Sequence, residues 1–429
     1  MNLTIRNQAL SQNVPLVEYI LKSIREEKAL TGVNRSIFAA CPNSLSVIKA
    51  ALRSAKRNNA PIKFATTLNQ VDTDRGYTKM NHQEFVDTVK KFAEQINLEA
   101  PVIFAIDHGG PWLKDRHRLE NLSFEESLVE VKKSFEAAIL AGFDLIHVDP
   151  TVDIRLKSNE PVEINWVIKY TAELIIHCEN FIQENGLPRI AYEVGTEEVH
   201  GGLSNQTVFK AFLDGLKNNL TEKGFNNVWP CFVVGKVGTD LHTTEFDPIV
   251  AGELTAIASK YGSLIKGHYS DNVTNPEQYP LSGMGAANVG PEFTENEYDS
   301  LMELVTLENN LINSKLLGQS SEMKEVLWTA VIESGRWSKW LNDSEDKQNF
   351  YANSIHRQDW LIKTGCRYVW ENDEVLATRE KLYYHLELFG FKAEEIVLLK
   401  IEKSMDKYFR AFNLIDLNSV LLKEIEVFA

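Results

Sequence analysis

Histidines and carboxylates stand at the ends of several short apolar runs in this sequence, the position where parallel barrels place their chemistry. Asp107-His108 ends one run, His268 ends another, and His242 lies in a loop that follows a third. Neutral imidazoles from three segments can hold one Zn²⁺, Mn²⁺, Co²⁺ or Ni²⁺ ion and leave a coordination position open. Such an ion would polarise a carbonyl and stabilise an enediolate. We therefore predict a divalent metal, Zn²⁺ before the others, with His108, His242 and His268 as ligands.

Carboxylates beside these histidines suit proton transfer. Asp107 directly precedes His108, so it can move a proton to or from a substrate hydroxyl. Glu193 and Glu197 follow a later run, and we assign Glu193 as a further metal ligand and Glu197 as an acid or base. Asp149 is expected to join the catalytic set by orienting a hydroxyl group.

Polar residues at two other strand ends are candidates for binding a sugar. Asn69 and Gln70 follow one apolar run, and Ser270 and Asp271 follow the run that ends at His268. Amide and carboxylate groups at such positions hydrogen-bond hydroxyl groups. We expect all four to contact substrate.

The elements that must position these residues alternate between strand and helix, as βα units of a parallel sheet do. Eight units in about 270 residues predict a (β/α)8 TIM barrel, and no GxGxxG supports the alternative, a doubly wound open sheet. The eighth run is rich in Gly and Ala and is included mainly because it completes the count. The predicted strands are 36–41, 62–67, 102–107, 144–149, 189–195, 230–235, 263–268 and 283–290.

His147 lies two residues before Asp149 on the fourth predicted strand, so both side chains face the same side. It is either a site residue or part of the packed inner layer. The helix predicted over 122–142 begins with Ser123 and Glu126, the spacing of a capping box.

Past residue 317 the strands stop and only helical patterns follow. We predict a barrel domain over 1–317 and a helical C-terminal domain over 318–429, in which aromatic residues form the core or a subunit interface.

Composition restricts the classes of function. The formal net charge of −15 argues against non-specific nucleic-acid binding. The four cysteines form no CxxC pair, and no signal peptide or membrane span is evident, so we expect a cytoplasmic protein with reduced thiols.

Several motifs together resemble the class II tagatose-bisphosphate aldolase accessory-subunit family, whose members are also described as non-catalytic subunits. The resemblance implies kinship with zinc-dependent (β/α)8 aldolases, in which Asp107 would transfer protons and His108, His242 and His268 would bind the metal. It also implies a homo-oligomer and a catalytic aldolase subunit as a partner. The motifs are NQVDTDRGYTKM (69–80), AIDHGGP (105–111), AGFDLIHVDPTV (141–152), VGTEEVHGG (194–202), GHYSDN (267–272), NVGPEFT (288–294) and RYVW (367–370).

Two departures from the aldolases bear on the reaction. Tyr269-Ser270-Asp271 stands where the aldolases carry a Gly-Gly-Ser type phosphate loop. The aldolases also carry a Gly-Gly-Glu-Asp type catalytic loop after strand 5, whereas here Leu203-Ser204 follows Gly201-Gly202. Relatives are associated with ketose C4 epimerisation. We therefore expect a metal-dependent enzyme that acts on a ketose or ketose phosphate of the tagatose or fructose type, by C4 epimerisation or aldol and retro-aldol chemistry. The alternative is a non-catalytic subunit that stabilises an aldolase. A kinase role is disfavoured because no Walker A sequence is present.

Overall fold

Eight parallel strands close a barrel in the computed structural model, which describes residues 3–157, 160, 162–195, 202–203, 205–239, 245–342 and 345–428. Each strand pairs with the next along the chain, and the last pairs with the first, Ile37 opposite Ala286 and Ala40 opposite Val289. The predicted (β/α)8 barrel is therefore confirmed, including its Gly- and Ala-rich eighth strand. The strands are β1 (Ile37–Ala40), β2 (Ile62–Thr67), β3 (Val102–Gly109), β4 (Leu145–Val148), β5 (Ala191–Gly195), β6 (Phe232–Val234), β7 (Leu264–Gly267) and β8 (Ala286–Val289).

Helices surround the barrel and continue after its last strand. A two-residue antiparallel pair, Gly202–Leu203 with Val237–Gly238, lies outside the barrel. The helices are α1 (Thr4–Ser11), α2 (Leu16–Thr31), α3 (Leu45–Asn58), α4 (His82–Gln95), α5 (Asp115–Leu119), α6 (Phe124–Ala141), α7 (Ile164–Asn185), α8 (Gln206–Glu222), α9 (Pro248–Ser259), α10 (Gln278–Leu281), α11 (Pro291–Asn313), α12 (Met323–Glu333), α13 (Ile355–Gly365), α14 (Asp373–Glu387), α15 (Ala393–Ala411) and α16 (Leu417–Phe428), with 3-10 turns at Arg336–Trp340, Phe350–Ala352 and Cys366–Tyr368.

Helix α6 shows how local sequence fixes an element. The Ser123 hydroxyl accepts a hydrogen bond from the Glu126 backbone N–H at 3.2 Å, and the Glu126 carboxylate accepts one from the Ser123 N–H at 2.8 Å. Gly142, with φ of 88°, ends the helix in the left-handed conformation that favours glycine. The predicted capping box is thus present, and α6 carries the chain directly into β4.

The C-terminal helices pack back onto the barrel. Phe38 of β1 stacks on Tyr408 with ring centroids 5.6 Å apart and meets Phe409 edge-on at 5.2 Å, which fixes α15 against the barrel wall. Arg57 of α3 pairs with the buried carboxylate of Glu402 at 2.7 Å. The division of the chain at residue 317 stays a prediction. None of the helices in the described ranges combines the length and the apolar character needed to cross a membrane.

Candidate metal and substrate site

Three histidines meet at the carboxyl ends of β3, β4 and β7. The ring centroids of His108 and His268 are 4.5 Å apart, and those of His147 lie 5.4 Å from His108 and 5.5 Å from His268. His147 and His268 are buried, at 1% and 3% exposure. The structure therefore brings together two of the predicted ligands, and it places His147 in the same cluster rather than apart from it.

The backbone around His108 is arranged for this position. His108 has φ of 52°, and the pairing of β3 with β4 shifts register between Ile106 and Gly109. A Cβ on Gly110 would lie 1.9 Å from the Asp149 carbonyl oxygen, so glycine is needed for the two strand ends to approach. A left-handed residue at a strand end is a form of local strain that concentrates at functional sites.

Asp149 orients the imidazole of His108. Its Oδ2 lies 2.7 Å from His108 Nδ1, and its Oδ1 accepts a hydrogen bond from the Thr151 hydroxyl at 2.6 Å. Burial favours the neutral acid, but nearby His147 and these hydrogen bonds lower the pKa of Asp149 to about 2. A carboxylate that holds one nitrogen of a histidine and leaves the other free is the usual support for a metal ligand.

Asp107 is a fixed carboxylate at the centre of the cluster. Its Oδ1 lies 3.1 Å from Lys266 Nζ and 3.3 Å from His268 Nε2, and its Oδ2 accepts a hydrogen bond from Asn288 at 2.9 Å. Although burial opposes ionisation, Lys266 and His268, followed by other neighbours, hold the pKa of Asp107 well below its usual range. The group is therefore ionised at neutral pH.

A buried charge network lies beneath the histidines. Glu193 is fully buried, with Oε1 2.5 Å from Lys266 Nζ and Oε2 3.2 Å from Lys63 Nζ. Burial, aided by the charge of Lys266, lowers the pKa of Lys63, whereas Asp107 and Glu193 outweigh burial and raise the pKa of Lys266. Lys266 thus carries a positive charge that is shared by the two carboxylates. The role of Glu193 as a metal ligand stays a prediction.

The cluster fits a divalent ion on three observations. Asp107, His147, Glu193 and His268 each offer a donor atom within 4.8 Å of the others, and so do His108, His147 and Asp149. Within the described ranges, His147 Nε2 and His268 Nδ1 are buried without a hydrogen-bond partner. Burial opposes protonation of His108, but Asp107 and Asp149 raise its pKa to about 9, so the site favours a positive charge. Imidazole and carboxylate donors suit Zn²⁺ and its neighbours.

A cavity of about 620 Å³ opens above the cluster, within the usual size range of small-molecule sites. Asp107, His108 and His268 lie in its lining, as do Asn288 and Asp271. Asp271 accepts hydrogen bonds from the backbone N–H groups of Gly290 and Glu292, yet burial raises its pKa to about 7. A carboxyl group with this pKa can exchange protons near neutral pH.

The other predicted substrate residues take different positions. Asn69 and Gln70 line the cavity, but they are already hydrogen-bonded, Asn69 to Leu113 and Asp115 and Gln70 to Thr67 and Asn43. Ser270 is fully buried and does not line the cavity. Glu197 and His242 lie outside the described residues, so their assignments stay predictions.

The site predicted from the sequence lacks several residues that the structure places in it. Lys63, Lys266 and Asn288 complete the charge network, and the sequence allows two interpretations of His147. The available signal was a lysine inside an otherwise apolar strand, IKFATT for Lys63 and SLIKGH for Lys266. A lysine that must be buried needs a buried carboxylate beside it.

Together the fold and the cluster define a (β/α)8-barrel protein with a candidate metal centre at its C-terminal rim. The sequence matches the family described as D-tagatose-1,6-bisphosphate aldolase subunit GatZ/KbaZ-like over residues 21–412. The chain belongs to this family, as its motifs indicated, and its role is related to tagatose-bisphosphate aldolase.

A solved structure shares this fold, and two aldolases are more distantly similar. A probable tagatose 6 phosphate kinase from Sinorhizobium meliloti 1021 is 21% identical, with a TM-score of 0.72 over 88% of this chain and 100% of that chain. Fructose-bisphosphate aldolase from Campylobacter jejuni is 12% identical, with a TM-score of 0.47 over 93% of this chain and 95% of that one. The YdjI aldolase from Escherichia coli K12 is 10% identical, with a TM-score of 0.41 over 87% and 96%.

Proposed function

We propose that this protein is a metal-dependent enzyme that epimerises a ketose or ketose phosphate at C4, using retro-aldol cleavage and re-addition. The observation that carries the proposal is the cluster of His108, His147 and His268 around ionised Asp107, at the floor of a cavity of about 620 Å³. Donor atoms of His147 and His268 lie within 4.8 Å of each other, as do those of His108 and His147, so these imidazoles would hold the ion, and Asp149 would orient His108. When bound, a divalent ion supplies Lewis-acid polarisation of a carbonyl oxygen.

The chain's own residues supply the proton transfers. A carboxylate removes the proton from the C4 hydroxyl, and the C3–C4 bond breaks. The electron pair of that bond stays on C3, in the fragment that contains C1 to C3, and C4 becomes the aldehyde carbon of the other fragment. The new aldehyde rotates, C3 attacks its opposite face, and the same carboxyl group returns the proton to the C4 oxygen. Reaction and reversal therefore need no redox partner.

Two carboxyl groups in the cavity have pKa values pushed apart, which separates their roles. Asp107 is held ionised by Lys266, so it stabilises positive charge and is a weak base. Asp271, with a pKa of about 7, is better matched to taking and returning a proton near neutral pH. We assign Asp107 to orientation of the reacting hydroxyl and Asp271 to proton transfer, which reverses the predicted emphasis on Asp107.

Turnover by the purified chain alone tests the proposal. The protein is incubated with fructose, tagatose and their 6-phosphates, with and without Zn²⁺, Mn²⁺, Co²⁺ or Ni²⁺, and the C4 epimers are separated chromatographically. We expect metal-dependent turnover that His108→Ala abolishes without loss of fold. The control is His177→Ala, because His177 lies on α7 and pairs with Glu136 at 2.8 Å, away from the cavity. Equal activity in His108→Ala and wild type would refute the assignment.

The family description favours a second candidate, an accessory subunit that stabilises a catalytic aldolase. That function predicts no turnover by the chain alone and a gain in activity when the chain is added to a tagatose-bisphosphate aldolase. It also predicts that His108→Ala keeps this effect in full. The two candidates therefore give opposite results with the same variant.

A further inference from the structure

Cations from the C-terminal part of the chain contribute to the lining of the cavity. Arg336, Lys339 and Arg367 line it together with Arg118, which follows β3. Three carboxyl groups of the described residues share the lining, those of Asp107, Asp115 and Asp271, and Asp115 pairs with both Arg336 and Lys339. The chain as a whole carries a net charge of −15, so a local excess of positive groups is unusual on this protein.

Arg367 is held rigidly with part of its guanidinium unused. It is 8% exposed, its Nε donates to the Thr364 carbonyl oxygen at 3.1 Å, and its Cζ lies 4.6 Å from the ring centroid of Trp340 and 5.4 Å from that of Tyr368. Within the described part of the chain, its Nη2 is buried without a hydrogen-bond partner. A buried guanidinium donor without an acceptor is costly unless a ligand supplies one.

Two further donors near Arg367 are in the same condition. The guanidinium of Arg336 lies over the rings of Tyr368, at 4.0 Å, and Tyr77, at 5.8 Å, and its Nη2 donates a hydrogen bond to Asp115. Among the described residues, no group accepts from Arg336 Nε or from Trp340 Nε1, although both atoms are buried. The cavity lining thus presents three buried N–H donors without a partner among the described residues, beside four cationic side chains, of which Arg336 and Lys339 pair with Asp115.

From these contacts we propose that Arg367, Arg336 and Lys339, with the indole N–H of Trp340, form a subsite for the phosphoryl group of a ketose phosphate. This inference rests on the proposed function, because it places the sugar between the phosphoryl subsite and the histidine cluster. A phosphoryl group has about −1.5 to −2 charge and three acceptor oxygens, which matches the donors and the cations better than a carboxylate does. The subsite selects phosphorylated ketoses over neutral ones.

Inorganic phosphate is the direct probe, because its binding does not depend on turnover. Titration calorimetry at low salt compares the wild-type protein with Arg367→Lys and Lys339→Ala. We expect Arg367→Lys to weaken phosphate binding about tenfold or more, since lysine cannot reproduce the stacked guanidinium, and Lys339→Ala to weaken it several-fold. Acetate, as the carboxylate probe, should bind at least tenfold more weakly than phosphate. Equal binding of the two anions would overturn the assignment to phosphate.

Lys400→Ala is the matched control, since Lys400 also forms one ion pair, with Glu303 at 2.5 Å, but lies outside the cavity. It should bind phosphate as the wild type does. Lys339 is 42% exposed, so its variant keeps the test valid if Arg367→Lys folds poorly. Phosphate affinity that is the same in wild type, Arg367→Lys and Lys339→Ala would refute the subsite.

Kinetics separate this inference from the proposed function. In the active enzyme, Arg367→Lys should lower kcat/KM for a ketose 6-phosphate about tenfold more than it lowers the value for the neutral ketose. Equal losses for both substrates would contradict the subsite while the proposed function stood. Absence of turnover with every ketose would refute the proposed function, and the phosphate titration would still decide the subsite.

Discussion

Replacing Lys266 with methionine would test the buried charge network beneath the histidines. Lys266 is fully buried, and its ammonium lies 2.5 Å from Glu193 Oε1 and 3.1 Å from Asp107 Oδ1. Lys266→Met keeps most of the side-chain volume but leaves two carboxylates without their shared cation. Removing one partner of a buried ion pair destabilises a protein by about 3–5 kcal/mol.

The expected change in melting temperature follows from the size of the chain. An unfolding entropy of about 2.1 cal/mol/K per residue gives roughly 0.9 kcal/mol/K for 429 residues, if the chain unfolds in one transition. Lys266→Met should therefore lower Tm by about 3–6 °C in a thermal melt followed by tryptophan fluorescence. The added substitution Glu193→Gln removes one of the unpaired charges and should restore part of the loss.

Lys400→Ala again provides the control, because its ion pair with Glu303 is at the surface. A surface pair contributes about 0–1 kcal/mol, so Tm should fall by no more than about 1 °C. If Lys266→Met melted at the same temperature as the wild type, the reasoning on the buried charges would be refuted. A double variant less stable than Lys266→Met would contradict the proposed pairing with Glu193.

Three other changes have defined outcomes. Thr151→Val removes the hydroxyl that donates to Asp149 and should weaken metal binding about tenfold in a competition titration. The control Thr171→Val removes a buried hydroxyl on α7 and should leave metal binding unchanged. Equal effects of the two variants would contradict the role of Thr151. The pKa of Asp271 in the folded protein, about 7, lies above its usual value of 3.8, so the contribution of this group to stability is lost as pH rises from about 4 to 7. Asp271→Asn should therefore lose turnover, yet it should melt at a higher temperature than the wild type at pH 8 and at nearly the same temperature at pH 4. A difference in melting temperature that did not depend on pH would contradict this reasoning. Phe409→Ala should destabilise the protein by about 3–5 kcal/mol in a thermal melt, because the buried Phe409 ring packs on Phe38 of β1. The metal content of this variant should stay normal. Loss of metal without loss of stability would contradict a packing role for Phe409.

The barrel could be predicted from sequence because its signals are local. Each strand is a short apolar run, and α6 has both a capping box and a terminal glycine. Even β8, whose glycines and alanines have low strand propensity, was found by counting units. Closure of the barrel requires an eighth strand between β7 and β1, so topology corrected what propensity alone would miss.

The site was less accessible to prediction, because its geometry depends on contacts between distant segments. His108 was recognisable beside Asp107, but the closeness of His147 depends on the register shift in β3. In the sequence Arg367 stands out only as part of the RYVW motif, because nothing local indicates that the 3-10 turn after α13 lines the cavity. Periodicity identifies elements, whereas the convergence of side chains follows from how the elements pack.

The metal content of the purified chain tests the central claim most directly. Apoprotein prepared with a chelator is dialysed against Zn²⁺, freed of unbound ion, and analysed by inductively coupled plasma mass spectrometry beside His268→Ala and His177→Ala. We predict about one ion per chain in the wild type and in His177→Ala, and almost none in His268→Ala, because His268 lies within the cluster and His177 does not. An ion-free wild type, or equal metal content in all three proteins, would contradict a metal centre at the barrel rim.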